Sequence, residues 1–167
     1  MIYLLPAADQ PVDQGDLIDG CPILQVASFD PQNAATPQVA CSISRVIVLT
    51  QTCDLAQRKT QRLTVATVHS AQRLVDQNVV KAAEVRGPIR AARVYGWYFL
   101  PADTELGLEE AIIDLRQLHT VPLEVLETLC RLGRRKARIP SPYREHLAKH
   151  FADTFSRIGL PWPYETQ

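Results

Sequence analysis

No two of the four cysteines, Cys21, Cys41, Cys53 and Cys130, stand in a CxxC pair, which argues against zinc-ribbon and thioredoxin patterns. No stretch approaches the roughly 18 consecutive apolar residues of a membrane-spanning helix. The opening MIYLLPAADQ lacks the basic n-region and long apolar h-region of a secretory signal. These absences predict a cytoplasmic protein without a membrane partner, in which each thiol is by default free and often buried. Net charge is missing too: 18 Lys and Arg balance 18 Asp and Glu, so the whole chain carries no basic field that would by itself announce nucleic acid. Neither an internal repeat nor a low-complexity tract is present.

What remains is a chain of 167 residues, 46% hydrophobic and 22% charged, enough for one domain with a real core. GDLIDGCPILQVA (15–27) alternates imperfectly, with Gly20 placed for a bulge or bend. SRVIVLT (44–50) is an almost continuous apolar run, as expected of a strand buried on both faces. Between them, the polar and proline-interrupted SFDPQNAATPQVA (28–40) predicts a long loop. RLTVATV (62–68) alternates and pairs with the preceding strand as a hairpin. ARVYGWYFLP (92–101) and EAIIDLRQL (110–118) supply two more strands.

Helical period appears in SAQRLVDQNVVKAAEVRG, where Leu74, Val75, Val79, Ala82 and Ala83 share a face, Ser70 is placed to cap and Gly87 to stop. VPLEVLETLCRLG predicts a helix between Pro122 and Gly133. SPYREHLAKHFADTFSRIG predicts another, with Ser141 as N-cap, Pro142 first, Gly159 as stop, and an apolar stripe of Tyr143, Leu147, Phe151, Phe155 and Ile158. Strands first and helices last suggest an antiparallel sheet or barrel with helices against one side.

The succession of GDLI, an arginine leading RVIVLT, a polar loop, LTVATV and a last strand running into LRQLHTVPLEVL resembles the PemK/MazF-like group. DLRQLHTV, followed by a short helix and a final helix ending in IGL, is the most specific part, and the likeness spans about residues 15 to 160. It implies a mainly β fold with α: a small antiparallel SH3-like barrel over about 15–118, an inserted helix, and two C-terminal helices over about 121–159 packed on it, all in one domain. The toxin members of that group cut single-stranded RNA and are held inactive by an antitoxin peptide. The resemblance therefore implies RNA and an antitoxin-like protein as partners, a homodimer, and no cofactor.

Those members use an arginine at the head of the second strand, usually followed by proline, and a hydroxyl residue near the end of the third. Arg45 matches the arginine, but Val46 stands where the proline would be, and the third-strand position falls on His69 or Ser70. An arginine can stabilise charge on a phosphate in flight, and His69 could take a proton from a ribose 2′-hydroxyl near neutral pH. On the residues alone, Arg45 reads equally as half of a surface ion pair and His69 as a strand end.

Gln51, Thr52, Cys53, Asp54 and Arg58 follow the second strand, where the barrel would border its binding face. A carboxylate beside Cys53 disfavours the thiolate, so a thiol nucleophile would need His69 or Arg45 close by. Cys53, Asp54, Cys21 and His69 could instead hold a metal, although no spacing is diagnostic. A structural alternative has Asp54 accepting backbone N–H groups while Cys53 packs inward. His146, His150 and Asp153 share one sector of the last helix and read as a solvated flank before a metal face. The run RLGRRKAR supplies Arg134, Arg135 and Lys136 as phosphate contacts, or else a solvated loop between helices. The first reading is thus an RNA-binding and possible RNA-cutting barrel. The alternative is a catalytically inactive barrel acting as a protein-interaction module, with the aromatic strand VYGWYFL at its contact surface.

Overall fold

A computed structural model of the chain describes residues 1–33 and 37–156. Six strands, β1 (Asp16–Ser28), β2 (Gln38–Val48), β3 (Arg62–Ser70), β4 (Trp97–Leu100), β5 (Ala111–Pro122) and β6 (Arg135–Arg138), form one sheet in the order β4-β5-β3-β2-β1-β6. Every pairing is antiparallel. The mainly β architecture with helices is as expected; barrel closure is not seen. The four-residue β4 and β6 stand at opposite edges, and no pairing joins them among the described residues.

Side-chain alternation along the strands divides the core. Leu17, Ile47, Ala66, Tyr98 and Ile113 form one cluster, joined by Leu147 of α5 (Tyr143–Phe155). Ile18, Val46, Val48 and Val65 form a second, joined by Leu126 and Cys130 of α4 (Leu123–Arg131). Val46 and Ile47, adjacent in the chain, thus enter different clusters. The stretch VIVL (46–49) is apolar throughout for that reason, and each fully buried side chain of this size contributes roughly 1.5–3 kcal/mol. A third cluster gathers Leu74, Val85, Ile89, Trp97 and Ile112.

Local signals were obeyed where backbone chemistry fixes them. The β1 register shifts between Ile18 and Cys21, and Gly20 has φ +78° at that bulge. Ser70 caps α2 (Ala71–Asp76), its side chain accepting the Arg73 N–H at 3.4 Å. The helix predicted to run on to Gly87 instead breaks: Asn78, at φ +55°, ends the first piece. The chain then re-forms as α3 (Ala82–Glu84) and a π-helical turn over Val85–Ile89 that contains Gly87 and Pro88. Gly87 therefore stops nothing, and Val79 is exposed.

α4 follows Pro122 and is followed by Gly133, as expected. α5 is capped by Pro142 rather than Ser141, and no side chain caps it. Within its stripe Leu147 is buried and Phe151 packs on the core. Tyr143 and Phe155 are exposed, while His150 is buried. Ile158 and Gly159 lie outside the described residues. The predicted loop over 28–40 is much shorter than expected: β1 and β2 continue to Ser28 and from Gln38, with a 3-10 turn over Pro31–Asn33 between them. Small, uncharged residues in 38–43 hid a strand that extends the sheet as a two-stranded ribbon.

Candidate functional site

β2 pairs with β3 only from Arg45 opposite Val68 to Val48 opposite Val65. Beyond Arg45, β2 follows β1 outward to Gln38. Beyond Val68, β3 follows β5 to Ser70, opposite Ala111. The strands fork, and the fork opens a cleft of about 700 Å³. Arg45 and Ser44 come to it from β2, His69 and Ser70 from β3, Arg73 from the first turn of α2, and Arg134 from the turn before β6. Asp19 and Glu109 complete its polar wall.

The bulge at Asp19–Gly20 sets the first contact. It brings the Asp19 carboxylate onto the Arg45 guanidinium in a fork: Nε donates to Oδ1 at 2.5 Å and Nη2 to Oδ2 at 3.1 Å. These bonds hold Arg45 firmly charged despite partial burial. The Asp19 backbone N–H donates to the Arg134 carbonyl at 2.9 Å, which ties the basic turn to the same bulge. Ser70 Oγ donates to Glu109 Oε2 at 2.9 Å while it caps α2. Among the described residues, no carboxylate lies within ion-pair distance of Arg73 or Arg134.

His69 Nε2 shares a hydrogen bond of 3.2 Å with Thr67 Oγ1. Burial holds its pKa below the usual imidazole value, against the pull of Asp114 and with the help of Arg73. It is neutral at pH 7 and chemically able to take a proton. Its direction is less favourable. Val68, the cross-strand partner of Arg45, shares Arg45's face, so alternation puts His69 on the opposite face of β3. Arg45 and His69 border one cleft from two sides of the sheet.

Three of the predicted catalytic positions, Arg45, His69 and Ser70, and one predicted contact, Arg134, are therefore brought together. The remainder lie elsewhere. Thr52, Cys53 and Asp54 sit in α1 (Thr52–Ala56), beside Gln51 and Arg58 and past the other end of the β2–β3 pairing. Cys53 is exposed rather than packed inward, with Gln51 Oε1 at 3.5 Å and Asp54 Oδ1 at 3.9 Å from its sulfur. Asp54 meets Lys59 at 3.5 Å. Both contacts of the sulfur are with oxygen atoms, and neither is with a cation. Arg58 and Arg135 border a separate hollow of about 710 Å³ shared with Pro11, Leu55, Glu127 and Cys130.

The basic run is no interhelical loop: Arg135 and Lys136 belong to β6, and Arg135 is turned into the core. The two metal-ligand sets considered from sequence do not assemble. Cys21 is buried in the second cluster, His146 Nδ1 meets the Tyr98 hydroxyl at 3.0 Å, and Asp153 takes Lys149 at 2.6 Å. Among the described residues no group of three or more His, Cys, Asp or Glu is gathered around a common point. Within the stretch VYGWYFL, Trp97, Tyr98 and Leu100 are buried in the core, whereas Tyr95 is exposed.

Asp19, Arg73 and Glu109 are the site residues that sequence reasoning missed. Asp19 precedes the bulge glycine, and Arg73 follows the Ser70 cap by three residues; both positions were readable signals. Glu109 carried none. No protein-family model matches the chain, and no curated protein matches its sequence.

Proposed function

We propose that the chain binds single-stranded RNA in the fork between β2 and β3, on an open sheet that we read as a divergent SH3-like barrel of the PemK/MazF-like group. The observation that carries this reading is the convergence of Arg45, Arg73 and Arg134, from three distant parts of the sequence, on one cleft. Two of the three have no acid partner among the described residues and are free to meet phosphate oxygens. A balanced whole-chain charge does not oppose this, because phosphate contacts act locally within about 8–10 Å at physiological salt. Cleavage is the less supported half of the reading. A base must reach the 2′-hydroxyl while an arginine meets the adjacent phosphate, and His69 and Arg45 face opposite sides of the sheet.

Purified protein titrated into labelled single-stranded RNA tests the proposal. Binding should weaken steeply with salt, and the RNA should be recovered intact. Binding that ignores salt, or that survives Arg73→Ala with Arg134→Ala unchanged, would overturn it. Cleavage lost in Arg45→Ala would instead restore the nuclease reading. One observation favours the alternative, a protein-interaction module: the ribbon formed by the outer halves of β1 and β2 is apolar and uncovered.

A further inference from the structure

The hollow of about 710 Å³ that Arg58 and Arg135 border is of a size that takes small organic molecules. Residues 8–12, α1 with the turn after it, α4 and the start of β6 wall it. It shares no lining residue with the fork cleft. Pro11, Val12, Leu55 and Leu123 supply an apolar lining, and the core holds that lining in place. Val12 and Cys130 belong to the second cluster, with Leu55 and Leu123 packed against it. The Gln10 carbonyl accepts from Arg135 Nη2 at 2.6 Å and the Pro11 carbonyl from Arg138 Nη2 at 2.7 Å, which pins the first wall to β6.

Arg135 lies in the floor and is incompletely paired there. Its side chain is 3% exposed. Nε donates to Cys130 Sγ at 3.3 Å and Nη2 to Gln10, and both partners line the hollow. The third nitrogen, Nη1, is buried and has no hydrogen-bond partner among the described residues. A charged donor left in that state carries a desolvation cost that an incoming acceptor recovers. Its neighbours do not quench the charge. Burial pushes the Cys130 thiol up, so the sulfur stays neutral. Asp16 gives both oxygens to Arg138, at 2.5 and 2.8 Å, and reaches Arg135 only at 3.5 Å.

Arg58 and Arg131 stand exposed at the rim. Among the described residues neither has a carboxylate within ion-pair distance, although Asp9 and Glu127 line the same hollow. Three cations against two acids leave one positive charge, which matches a monoanion.

We infer that this hollow binds a small organic carboxylate, its oxygens on the Arg135 guanidinium at the floor and its apolar body against Val12, Leu55 and Leu123. A planar guanidinium suits a carboxylate in both charge and shape. Inorganic phosphate would bring a second negative charge toward Asp9 and Glu127 and leave the apolar lining unused. The inference does not depend on what the fork cleft binds.

Phenylbutyrate, a carboxylate on an apolar body, is the probe, with phenylbutanol and inorganic phosphate as controls. In calorimetric titration of the full chain the probe should bind with one site per chain, and each control about tenfold more weakly or worse. Proton–nitrogen NMR should place it: the Arg135 Nε–H and the Gln10 and Leu55 amides should shift as the probe is added. Arg135→Gln also takes a partner from Asp16, so the exposed rim carries the mutational arm. Arg58→Ala combined with Arg131→Ala should stay folded by circular dichroism and bind the probe about tenfold more weakly. No binding at millimolar probe, equal binding of phenylbutanol, or shifts confined to residues outside the hollow would overturn the inference. Undiminished affinity in the rim variant would do the same. Phosphate binding as tight as that of the probe would overturn it in favour of a phosphate site.

Discussion

Arg135 and Arg138 clasp a buried carboxylate, whereas Arg45, Arg73 and Arg134 border an open cleft, and one basic run supplies both of the first set and Arg134 of the second. Asp16 has no exposed side-chain surface. Arg138 donates to it through Nε at 2.5 Å and Nη2 at 2.8 Å, and Arg135 Nε lies 3.5 Å away. Arg135 is itself 3% exposed, with Nη2 bonded to the Gln10 carbonyl at 2.6 Å. Arg134, one residue earlier, has its side chain at the cleft. The register of β6 shifts against β1 between Leu17 and Ile18, and Arg135 and Arg138 meet the same acid although they stand three residues apart. A cation held by a buried acid supports the fold, and one without an acid is available to a ligand. Sequence clustering of charge does not distinguish the two.

The largest effect should come from the buried side. Asp16→Asn leaves two guanidiniums facing a neutral amide and should destabilise the protein by about 3–5 kcal/mol, read by urea denaturation. Asp19→Asn, in a pair about one quarter exposed, should cost about 1 kcal/mol or less. Equal losses in the two variants would erase the distinction between the clusters. Removing cleft cations should reverse the pattern. Arg73→Ala combined with Arg134→Ala should leave stability within about 0.5 kcal/mol of wild type. Filter binding at several salt concentrations should then show the RNA salt slope reduced by roughly 1.4, or about 0.7 per lost contact.

The smallest effect concerns pH. Burial depresses the folded pKa of His69, so the unfolded chain takes up this proton first as pH falls below about 6.5. The stabilisation is complete above that pH and is lost as pH falls through the folded pKa. His69→Gln should therefore show a shallower stability decline between about pH 7 and pH 5. An unchanged decline would place the acid sensitivity elsewhere.

Much of this arrangement was legible in advance, because certain residues impose local geometry alone. Gly20 announced its bulge, Ser70 its cap, and Pro122 with Gly133 the limits of α4. Arg45 and His69 or Ser70 were singled out by a resemblance alone, and it is the register of β2 against β3 that brings them to one cleft. Other features depended on partners far along the chain. That Arg135 turns inward follows from Asp16, more than a hundred residues earlier. That Arg45 and His69 fall on opposite faces follows from the Arg45–Val68 register, which the sequence does not print. The segment from Ala71 to Arg86 read as one helix because its apolar spacing nearly fits, and a left-handed Asn78 is only weakly encoded. β2 was underestimated since QVACSI lacks the apolar density that marks a buried strand.

The place of β6 also bears on how the chain is made. Among the described residues it is the last strand in the chain, yet it lies against β1, the first, and its outer side is taken by Leu4 through two backbone bonds of 3.0 and 2.7 Å with Arg138. Until residue 138 has left the ribosome, the Asp16 carboxylate has no counter-ions and β1 cannot be buried in its final place. The first strand of this sequence therefore settles only after a segment more than a hundred residues later has emerged, which gives the fold a large share of long-range contacts.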